Sequence, residues 1–320
     1  MITIINFSSS KDANCIKIAK QLSDYYHDQG VKVFSFDEFT LVPCGYCEYE
    51  CVKKNSRCKV NDCLNEIYET ISKSEEAIYI LPNYCDYPCA NFFIFNERSV
   101  GYYNKKRELR EKYRNVPKKF IVISNSFEEN FKKAFSYHVI GDPKILFLGA
   151  KKLGMSSLDK NLAEQDGVKK LINLFINEKY NVEKSAMAVV VYKNKILCTE
   201  EEIYGKLTLS LPKGHIEKGE SVIEAAIREC YEETNVVLTS DMPHEHLTPY
   251  EVMFTNHYFE IIKKVIYPVL FFVEEKGEPK AKEERISKVE YMDMGEFISK
   301  STYKNIVGVV KEVFLKILEK

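Results

Sequence analysis

Short apolar runs alternate with segments of helical periodicity over the first 180 residues, and this alternation constrains the fold more than any other feature. Each run is apolar at nearly every position, as expected of a strand that is covered on both faces. Repeated β-α units of this kind form parallel sheets with helices on both sides. We therefore predict a doubly wound α/β domain with five parallel strands, at residues 2–7, 31–36, 77–81, 119–123 and 144–148.

Helices are predicted between these strands from the spacing of apolar residues. One runs over residues 11–29 and stops at Gly30, because glycine tolerates the backbone conformation that ends a helix. A second helix is predicted at 62–73. A third, longer helix is predicted at 90–113, since no proline or turn signal interrupts that stretch.

The pattern changes after residue 180 and predicts a second domain of α+β class. Antiparallel strands at 186–192 and 195–199 flank a Lys-Asn turn, and their pairing is expected to be mostly local. A helix at 221–233 follows a glycine-rich loop. A strand at 265–274 and an amphipathic helix at 303–318 follow it. We place the domains at residues 1–180 and 184–320, with the boundary near 178–184.

Composition excludes several classes of partner. The 320 residues include 46 basic and 47 acidic residues, a net charge of −1, which offers no electrostatic surface for nucleic acid or membrane. The N-terminus lacks the features of a signal peptide, and no apolar run has the length of a membrane span. A cytoplasmic location is expected, and crowding of the ten cysteines toward the N-terminus favours thiol or metal chemistry over disulfides there.

Three glutamates are predicted to share one face of the helix at 221–233. Glu229, Glu232 and Glu233 stand at i, i+3 and i+4, so their side chains are neighbours. Carboxylates placed this closely repel each other unless a cation lies among them, and hard oxygen donors suit Mg²⁺ or Mn²⁺. Arg228 is expected to hold one of the carboxylates in orientation. A solvated acidic helix end is the alternative interpretation of the three glutamates alone.

The spacing around these glutamates resembles the Nudix box. Asn235 stands where the box has its next glycine, and Cys230 takes its usual aliphatic position. The resemblance implies the Nudix fold and metal-dependent hydrolysis of a nucleoside-diphosphate-linked small molecule, with Mg²⁺ or Mn²⁺ as cofactor. The positions that carry the resemblance are Gly214, Glu220, Arg228, Glu229, Glu232 and Glu233.

Roles for individual residues are implied by the same resemblance. Glu229, Glu232 and Glu233 would bind metal together with the carbonyl of Lys213, while Glu220 and Arg228 would support them. A carboxylate from a later loop would complete the site. Glu283 and Glu284 are both candidates, and Glu284 is carried into the predicted ligand set. His215 and His257 are either contacts around the site or ordinary surface histidines.

Short segments of the N-terminal half follow its predicted strands in a distinctive order. They are Pro-Cys-Gly-Tyr-Cys at 43–47, Cys-Lys-Val-Asn-Asp at 58–62 and Leu-Pro-Asn-Tyr at 81–84, with Arg98 in the helix beyond. In this order they resemble the flavodoxin-like NAD(P)H-dependent FMN reductases. The resemblance covers about residues 1–175 and implies a flavodoxin-like domain, FMN, possible use of NAD(P)H and a possible homodimer. Departures are the start Phe7-Ser8-Ser9 and Cys15, at a position where the family has threonine.

The FMN site is implied at the ends of the first and third strands. A loop rich in hydroxyl groups before a helix suits a phosphate, although an ordinary helix cap is the plainer interpretation. The phosphate would lie at Ser8, Ser10, Asn14 and Cys15. The isoalloxazine ring would lie near Pro82, Asn83, Tyr84 and Cys85, with Ser124 and Asn125 as further candidates.

Four cysteines in the loop after the second strand allow two interpretations. Cys44, Cys47, Cys51 and Cys58 are spaced so that an iron–sulfur cluster or zinc is possible, but free or structural thiols are the favoured interpretation. Cys85 and Cys89 would lie beside the flavin edge, as redox partners or as small buried residues.

Three functions remain open from the sequence. The first is a Nudix pyrophosphohydrolase fused to an FMN-binding oxidoreductase domain. The second is an NAD(P)H-dependent oxidoreductase whose Nudix domain binds a nucleotide for regulation. The third is a hydrolase whose first domain is a flavin-free dimerisation scaffold.

Overall fold

The computed structural model describes residues 1–318 except 46, 57, 61, 127, 136–142, 152, 157, 158, 160, 204, 205 and 257. The chain forms two compact units. One contains Met1–Lys179 with Phe254–Ile261, and the other contains Tyr180–Met253 with Ile262–Lys320. The predicted domain limits, 1–180 and 184–320, stay a prediction, since the first unit also takes in a short segment from the second half of the chain.

The first unit is built around a parallel sheet. Its strands are β1 (Ile2–Asn6), β2 (Val31–Ser35), β3 (Glu76–Tyr84), the short β4 (Tyr87–Pro88), β5 (Lys118–Ser124) and β6 (Lys144–Gly149). Its helices are α1 (Asn14–Tyr25), α2 (Glu50–Lys53), α3 (Cys63–Ser72), α4 (Ala90–Tyr103), α5 (Arg107–Asn115), α6 (Glu128–Phe135) and α7 (Asp166–Ile176).

The predicted fold class of this unit is confirmed. The five main strands pair in parallel in the order β2-β1-β3-β5-β6, and β4 adds an antiparallel hairpin to β3. Counting the parallel strands alone, the order is 2-1-3-4-5, that of flavodoxin-like doubly wound sheets. All five residues of β1 are buried, so helices cover both faces of the sheet at this strand.

The long helix predicted at 90–113 is wrong, because the structure has two helices there. α4 ends before Asn104, and Lys105 has a φ of 61°. The side-chain amide of Asn104, just after the helix, donates to the backbone carbonyls of Cys51 (3.1 Å) and Ser56 (2.9 Å). These carbonyls come from a distant loop, so no local pattern in the sequence reports them.

The second unit is built around a mixed sheet. Its strands are β7 (Asn181–Tyr192), β8 (Lys195–Ile203), β9 (Lys206–Ser210), β10 (Lys213–His215), β11 (His244–His246), β12 (Tyr250–Thr255), β13 (Ile261–Phe272) and β14 (Ile286–Asp293). Its helices are α8 (Val222–Thr234), α9 (Met294–Lys300) and α10 (Lys304–Leu318). Within the described residues, no helix is long and apolar enough to cross a membrane.

Pairing in this sheet is less local than the sequence pattern predicts. β7 and β8 do form the predicted hairpin, and Lys193 and Asn194 at its turn have φ angles of 46° and 64°. β7 also pairs in parallel with β13, and the main path of the sheet runs β11-β13-β7-β8-β14. The apolar run in β7 is buried on both faces, as a central strand requires.

β7 positions the elements that carry the predicted Nudix residues. β10 pairs with it, so that Gly214 lies opposite Ala186. α8 buries Ala225, Ala226 and Cys230 in the same apolar cluster as Ala186. Cys230 therefore packs as a small apolar residue, and the opposite face of α8 is left for polar side chains.

Candidate functional site

Both ends of α8 are fixed by local hydrogen bonds. At the start, the hydroxyl of Ser221 accepts from the Glu224 amide (3.2 Å) and the Glu224 carboxylate accepts from the Ser221 amide (2.8 Å). This capping box satisfies two backbone donors that a helix start leaves unpaired. At the end, Asn235 adopts a left-handed conformation with a φ of 61°, which asparagine tolerates better than most residues. The helix therefore holds its side chains at defined places.

Arg228 joins the polar face of α8 to the loop before the helix and to β10. Its guanidinium donates to both oxygens of Glu220 (2.8 and 2.9 Å), to Glu229 (2.8 Å) and to Glu232 (3.0 Å). It also donates to the carbonyl of His215 (2.8 Å). The planar, forked guanidinium can serve several carboxylates at once, which a lysine cannot. The predicted orienting role of Arg228 stays a proposal. In the structure its guanidinium lies between the carboxylates of Glu220, Glu229 and Glu232.

The three glutamates of the helix differ in exposure. Glu233 is fully buried and Glu229 is buried, whereas the side chain of Glu232 is 49% exposed. The face thus presents one carboxylate to solvent and keeps two in the interior. Buried carboxylates require compensating charge or hydrogen bonds.

Gly214 lies against Glu229 so closely that a side chain cannot fit. A β-carbon added at Gly214 would lie 2.0 Å from the carboxyl carbon of Glu229. Glycine is therefore needed for close approach of the loop backbone to the carboxylate. The loop and helix together define the place of this side chain.

Glu233 is a buried carboxylate within a cluster of opposite charges. One oxygen accepts from the backbone amide of Lys213 (3.2 Å), and the other accepts from Arg285. Glu201 is a second buried carboxylate beside the same cations, 3.4 Å from Arg285 and 3.6 Å from the ammonium of Lys213. Burial raises the pKa of Glu233 to about 7, and the charges of Lys213 and Arg285 act in the opposite direction.

Glu201 and Arg285 are part of this cluster although the sequence analysis did not identify them. Glu201 lies within Glu200-Glu201-Glu202, which looks like a solvated charged run. In the structure, Glu201 of β8 is buried while Glu202 is exposed. The alternation typical of a half-buried strand is the signal that was available.

The two carboxylates predicted as a further metal ligand, Glu283 and Glu284, differ in their exposure. Glu283 is half-buried and accepts from the Nε of Arg285 (2.5 Å), while Glu284 is exposed. It is Arg285, the next residue, that reaches Glu233. His215 is exposed and contacts Glu183 (3.0 Å), and His257 lies outside the described residues.

The donor set fits a hard divalent cation in its chemistry. Over the described part of the chain, no three His, Cys, Asp or Glu side chains are arranged as a ready metal site. Glu220, Glu229, Glu232 and Glu233 nevertheless gather carboxylate oxygens around one helix face, the ligands that Mg²⁺ and Mn²⁺ prefer. Arg228 and Arg285 now neutralise these oxygens. The metal ligand set, including the carbonyl of Lys213, remains a proposal.

The residues predicted to hold the FMN phosphate are engaged within the protein. The side-chain amide of Asn14 donates to the Asp159 carbonyl (2.8 Å), and its oxygen accepts from the Ala163 amide (3.0 Å). Cys15 is buried. The hydroxyl of Ser8 accepts from the backbone amide of Ser10 (3.2 Å). Asn14 and Cys15 therefore fit a phosphate poorly, and they serve the packing of the first unit.

Of the residues predicted near the flavin ring, Pro82 and Asn83 are buried, whereas Tyr84 and Cys85 are exposed. The amide of Asn83 donates to Ser124 and Ser126 (both 2.8 Å), and its buried oxygen has no hydrogen-bond partner among the described residues. Tyr84 is 59% exposed at the hairpin of β3 and β4. Pro82 is buried on β3, and Cys85 is exposed with a φ of 51°.

The four loop cysteines are all free thiols. Cys51 is buried, while Cys44, Cys47 and Cys58 are half-buried. The part of the chain that the structure describes contains no group of three of them arranged to hold a metal ion. An iron–sulfur cluster or zinc at these positions therefore gains no support from the geometry.

Comparison with known proteins gives a match in the C-terminal half. Residues 182–311 match the family model of the NUDIX domain. The chain is also similar to the Phosphatase NudJ of Escherichia coli strain K12 and of Shigella flexneri, with 36% identity over 86 residues. This alignment covers 25% of the chain and 54% of each relative. The chain thus spans about half the length of the curated relatives it matches.

Two solved structures have a low likeness to part of the chain. The dihydroneopterin triphosphate pyrophosphohydrolase of E. coli has a TM-score of 0.36 at 12% identity, over 42% of this chain and 95% of that one. The NUDIX domain of Shewanella oneidensis NrtR, in complex with ADP ribose, has a TM-score of 0.34 at 14% identity, over 43% and 88% of the two chains.

Proposed function

We propose, starting from the Nudix domain at residues 182–311, that the second unit is a metal-dependent hydrolase of a nucleoside-diphosphate-linked small molecule. The observation that carries the proposal is the carboxylate face of α8, where Arg228 gathers Glu220, Glu229 and Glu232. Holding like charges together costs free energy, which a site for a divalent cation would explain.

Each residue of the site has a distinct task in this proposal. Glu229, Glu232 and Glu233 would hold Mg²⁺ or Mn²⁺, which neutralises a diphosphate and acidifies water when bound. Arg228 and Glu220 keep the carboxylates in place. Glu232 is the most exposed of the three, so a water molecule can reach it most easily. In this proposal it takes the proton from the attacking water.

Lys213 is our candidate for a cation that contacts a substrate phosphate. Its ammonium donates to the hydroxyl of Ser210 (2.7 Å) and lies 3.6 Å from Glu201, so it is held rather than free to rotate. A fixed charge stabilises a developing anion without reorganisation during the reaction. Arg285 contacts the same Glu201 and is a second cation of this cluster.

A panel assay tests the proposed reaction. The full chain is incubated with Mg²⁺ and a set of nucleoside diphosphate derivatives, including ADP-ribose, FAD, NADH and dinucleoside polyphosphates, and the products are separated by chromatography. We expect cleavage at the diphosphate of at least one compound, and loss of that activity when EDTA removes the metal.

One control variant and one contradicting outcome make this assay decisive. Glu275→Gln changes an exposed loop carboxylate outside α8 and is expected to keep full activity. Tight binding of a nucleotide without any turnover would contradict the hydrolase proposal and support a regulatory nucleotide-binding domain instead.

A second candidate function concerns FMN in the first unit. The strand order and the buried Asn83 oxygen beside Ser124 and Ser126 favour a planar ligand with hydrogen-bonding edges at the carboxyl end of β3. The predicted phosphate partners Asn14 and Cys15 fit FMN poorly. The proposed hydrolase reaction does not depend on FMN. We expect flavin absorbance in the purified protein, or a rise in thermal stability with added FMN. Colourless protein whose stability ignores FMN would end this candidate.

A further inference from the structure

Two cysteines of the first unit meet over a glycine of α4. A β-carbon added at Gly101 would lie 3.0 Å from the sulfur of Cys51 and 3.4 Å from the β-carbon of Cys58. It would also lie 3.9 Å from the β-carbon of Cys51. The two side chains therefore approach the same point, and the missing side chain of Gly101 is what leaves room for them. Disulfides need β-carbons about 3.5–4.5 Å apart, a separation that this arrangement allows.

Backbone hydrogen bonds already hold the ends of this loop together. The amide of Ser56 donates to the Cys51 carbonyl (2.9 Å), and the amide of Cys58 donates to the Gly101 carbonyl (3.3 Å). Asn104 donates to the carbonyls of both Cys51 and Ser56. Because the fold has closed the loop, joining the two sulfurs costs little further chain entropy.

The two thiols differ in access and in their neighbours. Cys58 is half-buried, and a guanidinium nitrogen of Arg98 lies 4.0 Å from its sulfur. Arg98 also binds Asp62 and the Val42 carbonyl, which fixes the guanidinium in place. A partly exposed thiol beside a fixed cation is the usual setting of a reactive cysteine. Cys51 is buried beneath the loop, where it can react only with a sulfur brought to it.

We propose that Cys51 and Cys58 form a reversible disulfide when the protein meets a peroxide. The thiolate of Cys58 attacks one oxygen of hydrogen peroxide, and the O–O bond breaks. The departing hydroxide takes up the proton that the Cys58 thiol had released and leaves as water, and Cys58 becomes a sulfenic acid. The sulfur of Cys51 then attacks that of Cys58. The S–O bond breaks, a second water leaves, and the S–S bond forms. Two thiols are oxidised and one peroxide is reduced, and a dithiol reductant reverses the reaction.

Peptide mapping tests the pair directly. The full chain is treated with one equivalent of hydrogen peroxide, blocked with N-ethylmaleimide, and digested with trypsin and Glu-C. Because Glu50 precedes Cys51 and Lys53 follows it, the digestion separates Cys51 from Cys44 and Cys47. We expect one major cross-linked peptide that joins Cys51 to Cys58 and disappears after reduction.

Variants distinguish this pair from its neighbours. Cys58→Ser should abolish the cross-link and leave Cys51 as a free thiol, while Cys63→Ser, at another half-buried cysteine, should keep it. A cross-link between Cys44 and Cys47 instead, or stoichiometric zinc or iron on these thiols in purified protein, would overturn the proposal.

A glycine comparison tests the geometry independently of the thiols. Gly101→Ala brings a methyl group against Cys51 and should slow cross-linking several-fold. Gly308→Ala in α10 meets no atom within 4 Å and should leave the rate unchanged. Equal rates in both variants would show that the sulfurs do not meet over Gly101.

Discussion

Replacement of Glu232 by glutamine should lower the rate of diphosphate cleavage by at least about 100-fold, because a neutral amide holds a divalent cation more weakly than a carboxylate does and does not accept a proton. Glutamine has nearly the same size and keeps an oxygen for Arg228. The side chain is 49% exposed, so its charge contributes little to folding. The measurement is the steady-state rate on whichever compound the panel identifies, with unfolding followed in parallel.

Exposure makes Glu232 a better probe than Glu233. Glu233 is fully buried beside Lys213 and Arg285, so its replacement removes the carboxylate that both cations contact and disturbs the packed interior as well. Glu232→Gln should melt within about 2 °C of the wild type, as surface changes usually do. Full activity in this variant would remove Glu232 from the proposed metal site.

Replacement of Gly214 by alanine should lower activity about 100-fold without removing any charged group. The added β-carbon would lie 2.0 Å from the carboxyl carbon of Glu229, so either the loop or the carboxylate must move by an ångström or more. Displacements of about 1 Å at a site commonly cost about 100-fold in rate. The comparison is again the steady-state rate, now at saturating metal.

A matched glycine separates this effect from a general cost to folding. Gly308→Ala places the same methyl group in α10 with no atom within 4 Å, and it should keep activity while raising helix stability slightly. If Gly214→Ala is as active as Gly308→Ala, the close contact between loop and carboxylate has no part in catalysis.

Local patterns were enough to predict α8 and the loop before it. The glutamates, the Arg228 position and the Ser221 start all lie within one short stretch, where helical spacing decides which side chains meet. The parallel sheet of the first unit was equally accessible, because strands buried on both faces show as apolar runs.

Partners that are distant in sequence could not be predicted in the same way. The pairing of Glu201 with Arg285 joins β8 to the loop before β14, and nothing near either residue signals it. Asn14 resembled a phosphate ligand because of its place after β1, yet its amide binds the Asp159 and Ala163 backbone. In both cases a hydrogen bond formed by tertiary structure decides the role of the side chain.

The parallel pairing of β7 with β13 has a consequence for synthesis. A ribosome adds residues in order, so α8 emerges while the second neighbour of β7 has not yet been made. Segments this far apart in sequence can pair only after the residues between them have formed a loop. The pairing of β7 with β13 is therefore expected to form late. A nascent chain that stops before β13 therefore contains every glutamate of α8 but lacks the central strand pair on which the helix rests.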